Sequence, residues 1–238
     1  MITIEKTDVY GWEAAIRGMR NPMNSWDKSD SHICDIDAHS CPMLVYDDEP
    51  ATDCNNGAYR ICIGQNDHRL MTNLRKAGTE HAKYMRMINV TLDVTAPLYW
   101  WKEFDTYKVG TVTNSCSTMH KIHSKAFTLS DFSHEKLLDY EHTHVDAPVP
   151  PLGILVHTIA VLNFYRQKFI DTQNKTYWWQ MIQLLPTSYN QKRTVQLNYA
   201  VLAGIYHQRR NHKLDEWHTF CDWIESLPYS ELIMGVLE

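Results

Sequence analysis

Residues 185–197 read LPTSYNQKRTVQL, and residues 198–211 continue NYAVLAGIYHQRRN. Pro186 breaks the preceding helix, and the alternation after it describes an extended return strand. The next stretch has helical composition. Eleven residues separate Asn198 from Arg209, which advances a helix by about three turns and brings both side chains out on nearly one face. An amide and a guanidinium aligned in this way can read a planar imide edge or hold a phosphate. Gly204 lies between them and costs roughly 1 kcal/mol against alanine, a cost offset where a close ligand or a neighbouring backbone needs the space. A solvated basic helix end fits the same pattern, since Lys and Arg favour helix C-termini.

Upstream, residues 96–120 read APLYWWKEFDTYKVGTVTNSCSTMH. Tyr99, Trp100 and Trp101 supply either core or a stacking floor, and the run Thr111, Thr113, Asn114, Ser115, Cys116, Ser117 and Thr118 supplies hydrogen-bonding groups and a thiol. Residues 87–94 alternate with β-branched side chains and read as a strand, after which Pro97 opens a helix to about Tyr107. At the N-terminus, residues 1–8 alternate as a strand and 11–20 have helical composition. Residues 21–66 are rich in Asn, Asp, Ser, Pro and Gly and read as a long irregular insertion. A helix follows over 66–77, closed by Gly78, and a second, short one over 80–86. After the junction DAPVPP (146–151), helices are expected over 152–172, 175–184 and 214–226. The class is α+β with a helix-rich C-terminal half, in one domain over 1–238.

Composition narrows the function. The 238 residues are 44% hydrophobic and 21% charged, with a net charge of −5. That balance excludes a broad phosphate-neutralising surface for nucleic acid, although 207–213 (HQRRNHK) is locally basic. No apolar run approaches the roughly 18 residues of a spanning helix; the nearest, 151–161, is too short. The start, MITIEKTD, lacks a signal-peptide pattern. Six cysteines scattered through a chain of this size fit reduced thiols in a cytoplasm.

Two clusters carry possible chemistry. His32, Cys34, His39 and Cys41 form two H-x-C pairs that could supply tetrahedral zinc, against the reading of a polar loop beside Asp35 and Asp37. Cys116, in NSCST, is a candidate nucleophile if a base or cation activates it, with His120 and Lys108 near in sequence; the alternative is a buried free cysteine.

Taken in order, these pieces resemble the flavin-dependent thymidylate synthase (ThyX) family. Glu80 and His81 resemble its EH element, and Ala96–Pro97 opens the helix before its RHRxxSxNExSxRY motif. Thr106, Tyr107 and Lys108 then stand against RHR, Thr111 against the first Ser, and, with one inserted residue, Asn114 against Asn and Ser117 against the second Ser. Leu185–Pro186 matches the family's LP pair, Asn198 its flavin- or substrate-contacting Asn, and Arg209 the Arg on the pyrimidine ring. The closing helix ends before Pro228. The resemblance covers residues 64–228, and residues 1–63 have no evident counterpart. Only Lys108 keeps a charge of the RHR triplet. The motif's Glu falls on Asn114 or Ser115, its Arg–Tyr pair on Met119 and His120, and the Arg before LP on Ile182, with Gln180 and Gln183 nearby. The chain looks like a divergent branch of phage or bacterial type.

The resemblance implies a small mixed or antiparallel sheet flanked by helices, and a homotetramer with sites formed between subunits. It implies reductive C5 methylation of dUMP to dTMP, with methylenetetrahydrofolate as carbon donor, NADPH as reductant and hydride carried by FAD. Arg209 would polarise the pyrimidine, Asn198, Lys108 and His81 would contact the flavin, and Thr111, Asn114, Ser115 and Ser117 would bind the nucleotide. A variant uses Cys116 as a thiolate adding to C6 for a related C5 transfer such as hydroxymethylation. Two further readings are a nucleotide- or flavin-binding protein without catalysis, and an interaction role for residues 21–66 with zinc as a staple.

Overall fold

The computed structural model describes residues 2–33, 45–46, 49–50 and 61–235. Of the zinc candidates, only His32 falls within them, exposed on a short strand; Cys34, His39 and Cys41 lie outside the described residues.

Strand β1 (Thr3–Tyr10) leads into helix α1 (Trp12–Arg20), and the short strands β2 (His32–Ile33), β3 (Val45–Tyr46), β4 (Glu49–Pro50) and β5 (Ile61–Cys62) follow. Helix α2 (Gln65–Lys76), strand β6 (Asn89–Pro97), helix α3 (Leu98–Phe104), strand β7 (Val112–Ser115) and the single turn α4 (Thr118–Lys121) come next. The C-terminal half is α5 (Pro151–Thr172), α6 (Lys175–Leu184), β8 (Asn190–Asn198), α7 (Tyr199–Arg209), α8 (Asp215–Glu225) and α9 (Glu231–Met234). The four-stranded sheet has the order β1-β6-β8-β7. Leu98 N–H donates to Tyr189 O, and Tyr199 N–H to Ile88 O, each at 3.0 Å. Those two pairings make β6 and β8 antiparallel neighbours. Along β6 the alternation predicted from sequence is realised, with Val90, Leu92, Val94 and Ala96 all buried.

Two expected boundaries move. The short helix read over 80–86 is a 3-10 turn at Ala82–Arg86, because Gly78, at φ +110, has already turned the chain. Helix α3 stops at Phe104, with Asp105 as its C-cap, rather than reaching Tyr107.

The chain divides into two compact units. The first takes in Asp93–Thr106 and Thr113–Thr194. Its core gathers Phe127, Phe132, Leu155, Leu162 and Met181, with Phe169 and Trp178 packed against them. Trp100, Trp101 and Phe104 are buried here, with ring centroids 4.9–5.3 Å apart. The aromatics are therefore core, not a stacking floor. Helix α5 buries only Leu155 and Leu162 and leaves Ile154, Val156 and Phe164 more than half exposed.

The second unit takes in Ile4–Leu92, Tyr107–Val112 and Val195–Glu238. Trp12 meets Tyr199 edge-on at 5.3 Å, and Leu202, Ile205, Trp217 and Phe220 fill the space beneath α7 and α8. The ends of the 21–66 segment are pinned by one carboxylate. Asp67, fully buried, accepts from Arg20 Nε at 2.6 Å, from the Ser29 and Ser31 hydroxyls, and from the Asp30 and Ser31 N–H groups. Asp30 in turn accepts from the Asn66 and Asp67 N–H groups at the start of α2. Gly64 is required by this closeness, since a Cβ there would lie 2.2 Å from Asp30 Cγ.

Burial alone would raise the Asp67 carboxyl, but hydrogen bonds from Ser31, Ser29 and Arg20 hold it below its ordinary value. A depressed folded-state pKa contributes stability that is present above the unfolded value and lost as pH falls through the folded one. Asp67→Asn leaves Arg20 its bonds to the Ser25 and Lys28 carbonyls but removes its counter-charge and sets an amide N–H₂ against the donors of Ser29, Asp30 and Ser31, and is expected to cost about 3–5 kcal/mol in urea unfolding at neutral pH. The variant is also expected to lose part of the wild-type decline in stability on acidification.

Candidate functional site

Asn198 ends β8 and caps α7, its side-chain oxygen accepting from the Val201 N–H at 3.1 Å. Helix α7 then runs without interruption to Arg209. There two aromatic residues hold the guanidinium. Its Nε donates to the Tyr107 hydroxyl at 2.8 Å, and its carbon lies 4.9 Å from the Trp217 ring centroid and 5.6 Å from that of Tyr107. The Tyr107 hydroxyl in turn donates to Gln208 Oε1 at 2.9 Å. The Tyr107 hydroxyl and the Trp217 ring thus fix the plane of the fork, which a solvated helix end would leave loose.

The 107–112 loop reaches this helix at Gly110, whose φ is +78. A Cβ there would stand 3.0 Å from Val201 Cγ2 and 3.2 Å from Asn198 Nδ2. Next to it, the buried Thr111 hydroxyl oxygen has no hydrogen-bond partner among the described residues. A buried hydroxyl in that condition is a place for a ligand atom or an ordered water. Gly204 faces open space, with nothing within 4 Å of where its Cβ would be. Room for a ligand remains, and the expected close neighbouring backbone is absent among the described residues. Lys108 and His81 are both exposed.

The other polar run lies in the first unit. Asn114 and Ser115 are exposed on β7. Cys116 is exposed too, which corrects the buried-cysteine reading: it follows β7, an edge strand exposed along its whole length. Its N–H donates to Lys192 O at 3.0 Å, and its carbonyl accepts from Gln191 Nε2 at 3.0 Å. Ser117 caps α4, its hydroxyl accepting from the His120 N–H at 3.1 Å. Cys116 and Ser117 border a cavity of about 210 Å³ together with Lys121, Lys125, Phe127 and Tyr189. Lys125 is paired with Asp131. Burial pushes the Tyr189 phenol up to about 12, with Cys116 and Asp131 adding to the shift, so it faces the cavity as a protonated hydroxyl at neutral pH.

No family model matches the chain, and no curated protein sequence matches it. Solved structures do. One is the flavin-dependent thymidylate synthase ThyX of Helicobacter pylori complexed with FAD and dUMP, with TM-score 0.61 and 13% identity, covering 99% of each chain. The fold is that of the flavin-dependent thymidylate synthases. A second structure of the same enzyme with FAD and dUMP gives TM-score 0.60 at 12% identity, over 98% of this chain and 96% of that one. The UMP/dUMP methylase PolB of Streptomyces cacaoi, bound with 5-Br dUMP, gives 0.59 at 14% identity, over 100% of this chain and 96% of that one. The matched span therefore takes in described residues before 64, β1 and α1 among them, for which the sequence suggested no counterpart.

Four residues escaped the sequence reading. Lys121 and Lys125 are the cations beside Cys116, signalled by the basic run HKIHSK directly after NSCST. Gln191 and Arg193 share the face of β8 that carries buried Val195 and Leu197, so a polar pair interrupting an apolar alternation was the available sign.

Asn198 can be split into its two capabilities. Asn198→Ala removes the cap and is expected to cost about 1 kcal/mol in urea unfolding. Asn198→Asp retains the acceptor and is expected to leave stability unchanged while removing the amide N–H donors a ligand would use.

Proposed function

We propose that this chain is a flavin-dependent enzyme acting at C5 of a pyrimidine nucleotide, converting dUMP to dTMP by reductive methylation with methylenetetrahydrofolate and NADPH. The observation that carries the reading is the immobilised guanidinium of Arg209 on a fold whose relatives are seen with FAD and dUMP. Negative charge accumulates on the uracil carbonyls as C5 reacts, and a fixed guanidinium on the ring edge stabilises it without having to reorganise. Asn198 caps the opposite end of the same helix, about three turns away, and presents its amide N–H groups to the flavin or another part of the bound nucleotide. Thr111, with its unpartnered buried hydroxyl, and Asn114, Ser115 and Ser117 supply hydrogen bonds to sugar and phosphate.

The donors present fit FAD. His81 and Lys108 are exposed and can reach a phosphate or the flavin ring without giving up burial, and the open face at Gly204 admits a flat group. When bound, FAD supplies the hydride-transfer chemistry, renewed by NADPH. The enzyme would work in the cytoplasm, in keeping with the free thiols of Cys116 and Cys221. No helix among the described residues is long and apolar enough to cross a membrane. The exposed apolar side chains of α5 support assembly into a homotetramer, since a helix apolar on so much of its surface is stable when covered.

Release of tritium from [5-³H]dUMP, dependent on methylenetetrahydrofolate and NADPH, tests the reaction. Arg209→Ala is expected to lower kcat about 10²–10³-fold while still binding flavin. Nucleotide binding with no tritium release under any of these conditions would mean the catalytic reading is wrong.

The exposure of Cys116 at a cavity favours a second reading, in which its thiolate adds to C6 and supports a related C5 transfer such as hydroxymethylation. On that reading 5-fluoro-dUMP leaves a covalent adduct mapped by mass spectrometry to Cys116. Full activity in Cys116→Ser would eliminate it.

A further inference from the structure

Two polar side chains on the buried face of β8 have no part in the chemistry above. Residues 191, 193, 195 and 197 share one face of the strand. Val195 and Leu197 are buried there, yet so is Gln191 at 7% exposure, and the Arg193 side chain is only 13% exposed. Polar groups in such a place cost stability unless their hydrogen bonds are made.

Theirs are made, in a defined direction. The guanidinium carbon of Arg193 lies 4.2 Å from the Trp101 ring centroid, and Nη1 donates to Asp105 Oδ1 at 2.7 Å. Its Nε donates to Gln191 Oε1 at 3.0 Å. A guanidinium has no acceptor, so it accepts only the oxygen end of the amide as its neighbour. The nitrogen end must then face the other way, and Gln191 Nε2 donates to the Cys116 carbonyl at 3.0 Å. The Gln191 backbone is itself held, its carbonyl accepting from Trp101 Nε1 at 2.9 Å. Asp105 and Trp101 therefore orient Arg193, Arg193 orients the Gln191 amide, and that amide holds the peptide between Cys116 and Ser117.

We propose that Gln191 and Arg193 are positioning residues for the 115–117 peptide, keeping the Cys116 thiol and the Ser117 hydroxyl at the edge of their cavity. The inference rests on the proposed nucleotide function for the identity of the ligand, and on the geometry alone for the positioning.

Gln191→Glu in the full-length protein isolates the effect. A carboxylate at 191 still accepts from Arg193, so the clamp on Trp101 and Asp105 remains, but it has no N–H for the Cys116 carbonyl. Deuterium uptake by the peptide spanning 115–117, whose Cys116 N–H is held by the Lys192 carbonyl, is followed by mass spectrometry with and without dUMP, at a temperature where both proteins are folded. Exchange is expected to rise at least about threefold in the variant, because an unheld peptide opens more often. Saturating dUMP is expected to slow exchange in the wild type and to protect Gln191→Glu far less. Equal exchange of the two proteins without nucleotide would overturn the positioning role. Raised exchange in the variant with no protection by dUMP in either protein would support positioning and remove the nucleotide from this cavity, so the two failures are distinct. Asp105→Asn changes a side chain that is 43% exposed and loosens Arg193 without burying a new group. It is expected to raise exchange in the same direction, and it carries the test if Gln191→Glu does not fold.

Discussion

Strand β8 is hydrogen-bonded on both edges, between β6 and β7, and much of the molecule's chemistry follows from that constraint. A central strand tolerates no proline and must satisfy every backbone group on both sides. Pro186 accordingly stands before the strand, and every residue of Asn190–Asn198 can donate. One edge supplies Lys192 O to the Cys116 N–H, which fixes where the hydroxyl-rich run leaves the sheet. The strand's last residue, Asn198, turns its side chain onto α7 and starts the helix that ends at Arg209. The strand's register therefore determines the placement of the thiol and the start of the arginine's helix.

Three arginines that the fold covers are matched to acceptors. Arg20 meets Asp67, and Arg193 meets Asp105 and a ring face. Arg75 donates to the carbonyls of Leu232, Ile233 and Gly235, tying α2 to the turn after α9. Removing a charge from water is costly enough that such groups persist only with their partners in place. Each therefore specifies one arrangement of the segments it joins. Asp67 does so most tightly, since a single carboxylate gathers α1, residues 29–31 and the start of α2.

Much of the secondary structure was legible because it is written in local periodicity. The 175–184 helix emerges where the sequence puts it, while β6, read over 87–94, runs over Asn89–Pro97, and the strand read after Pro186 begins at Asn190. The end of α3 and the 80–86 turn did not emerge as read, because caps and 3-10 geometry depend on a few atoms rather than on a pattern. The functional clusters were legible in their letters and not in their contacts. Arg209 and Asn198 could be placed on one helix by counting. That Tyr107 and Trp217 lock the guanidinium depends on residues a hundred positions apart or on a neighbouring helix, which no local pattern records. Cys116 could be seen as a thiol in a polar run, but its exposure comes from its place after an edge strand that is itself uncovered. Gln191 and Arg193 were overlooked because alternation was read as a sign of a strand, without asking why its inner face should carry an amide and a cation.

The proposed chemistry requires that this chain bind FAD, as the two ThyX structures of like fold do. The most direct measurement is the visible absorbance spectrum of the freshly purified protein, followed, if it is colourless, by titration with FAD in the presence of dUMP. The account expects the absorbance of a bound oxidised flavin, either on purification or appearing saturably on titration. A colourless protein that does not bind FAD even at saturating dUMP would contradict it, leaving the shared fold without the proposed chemistry.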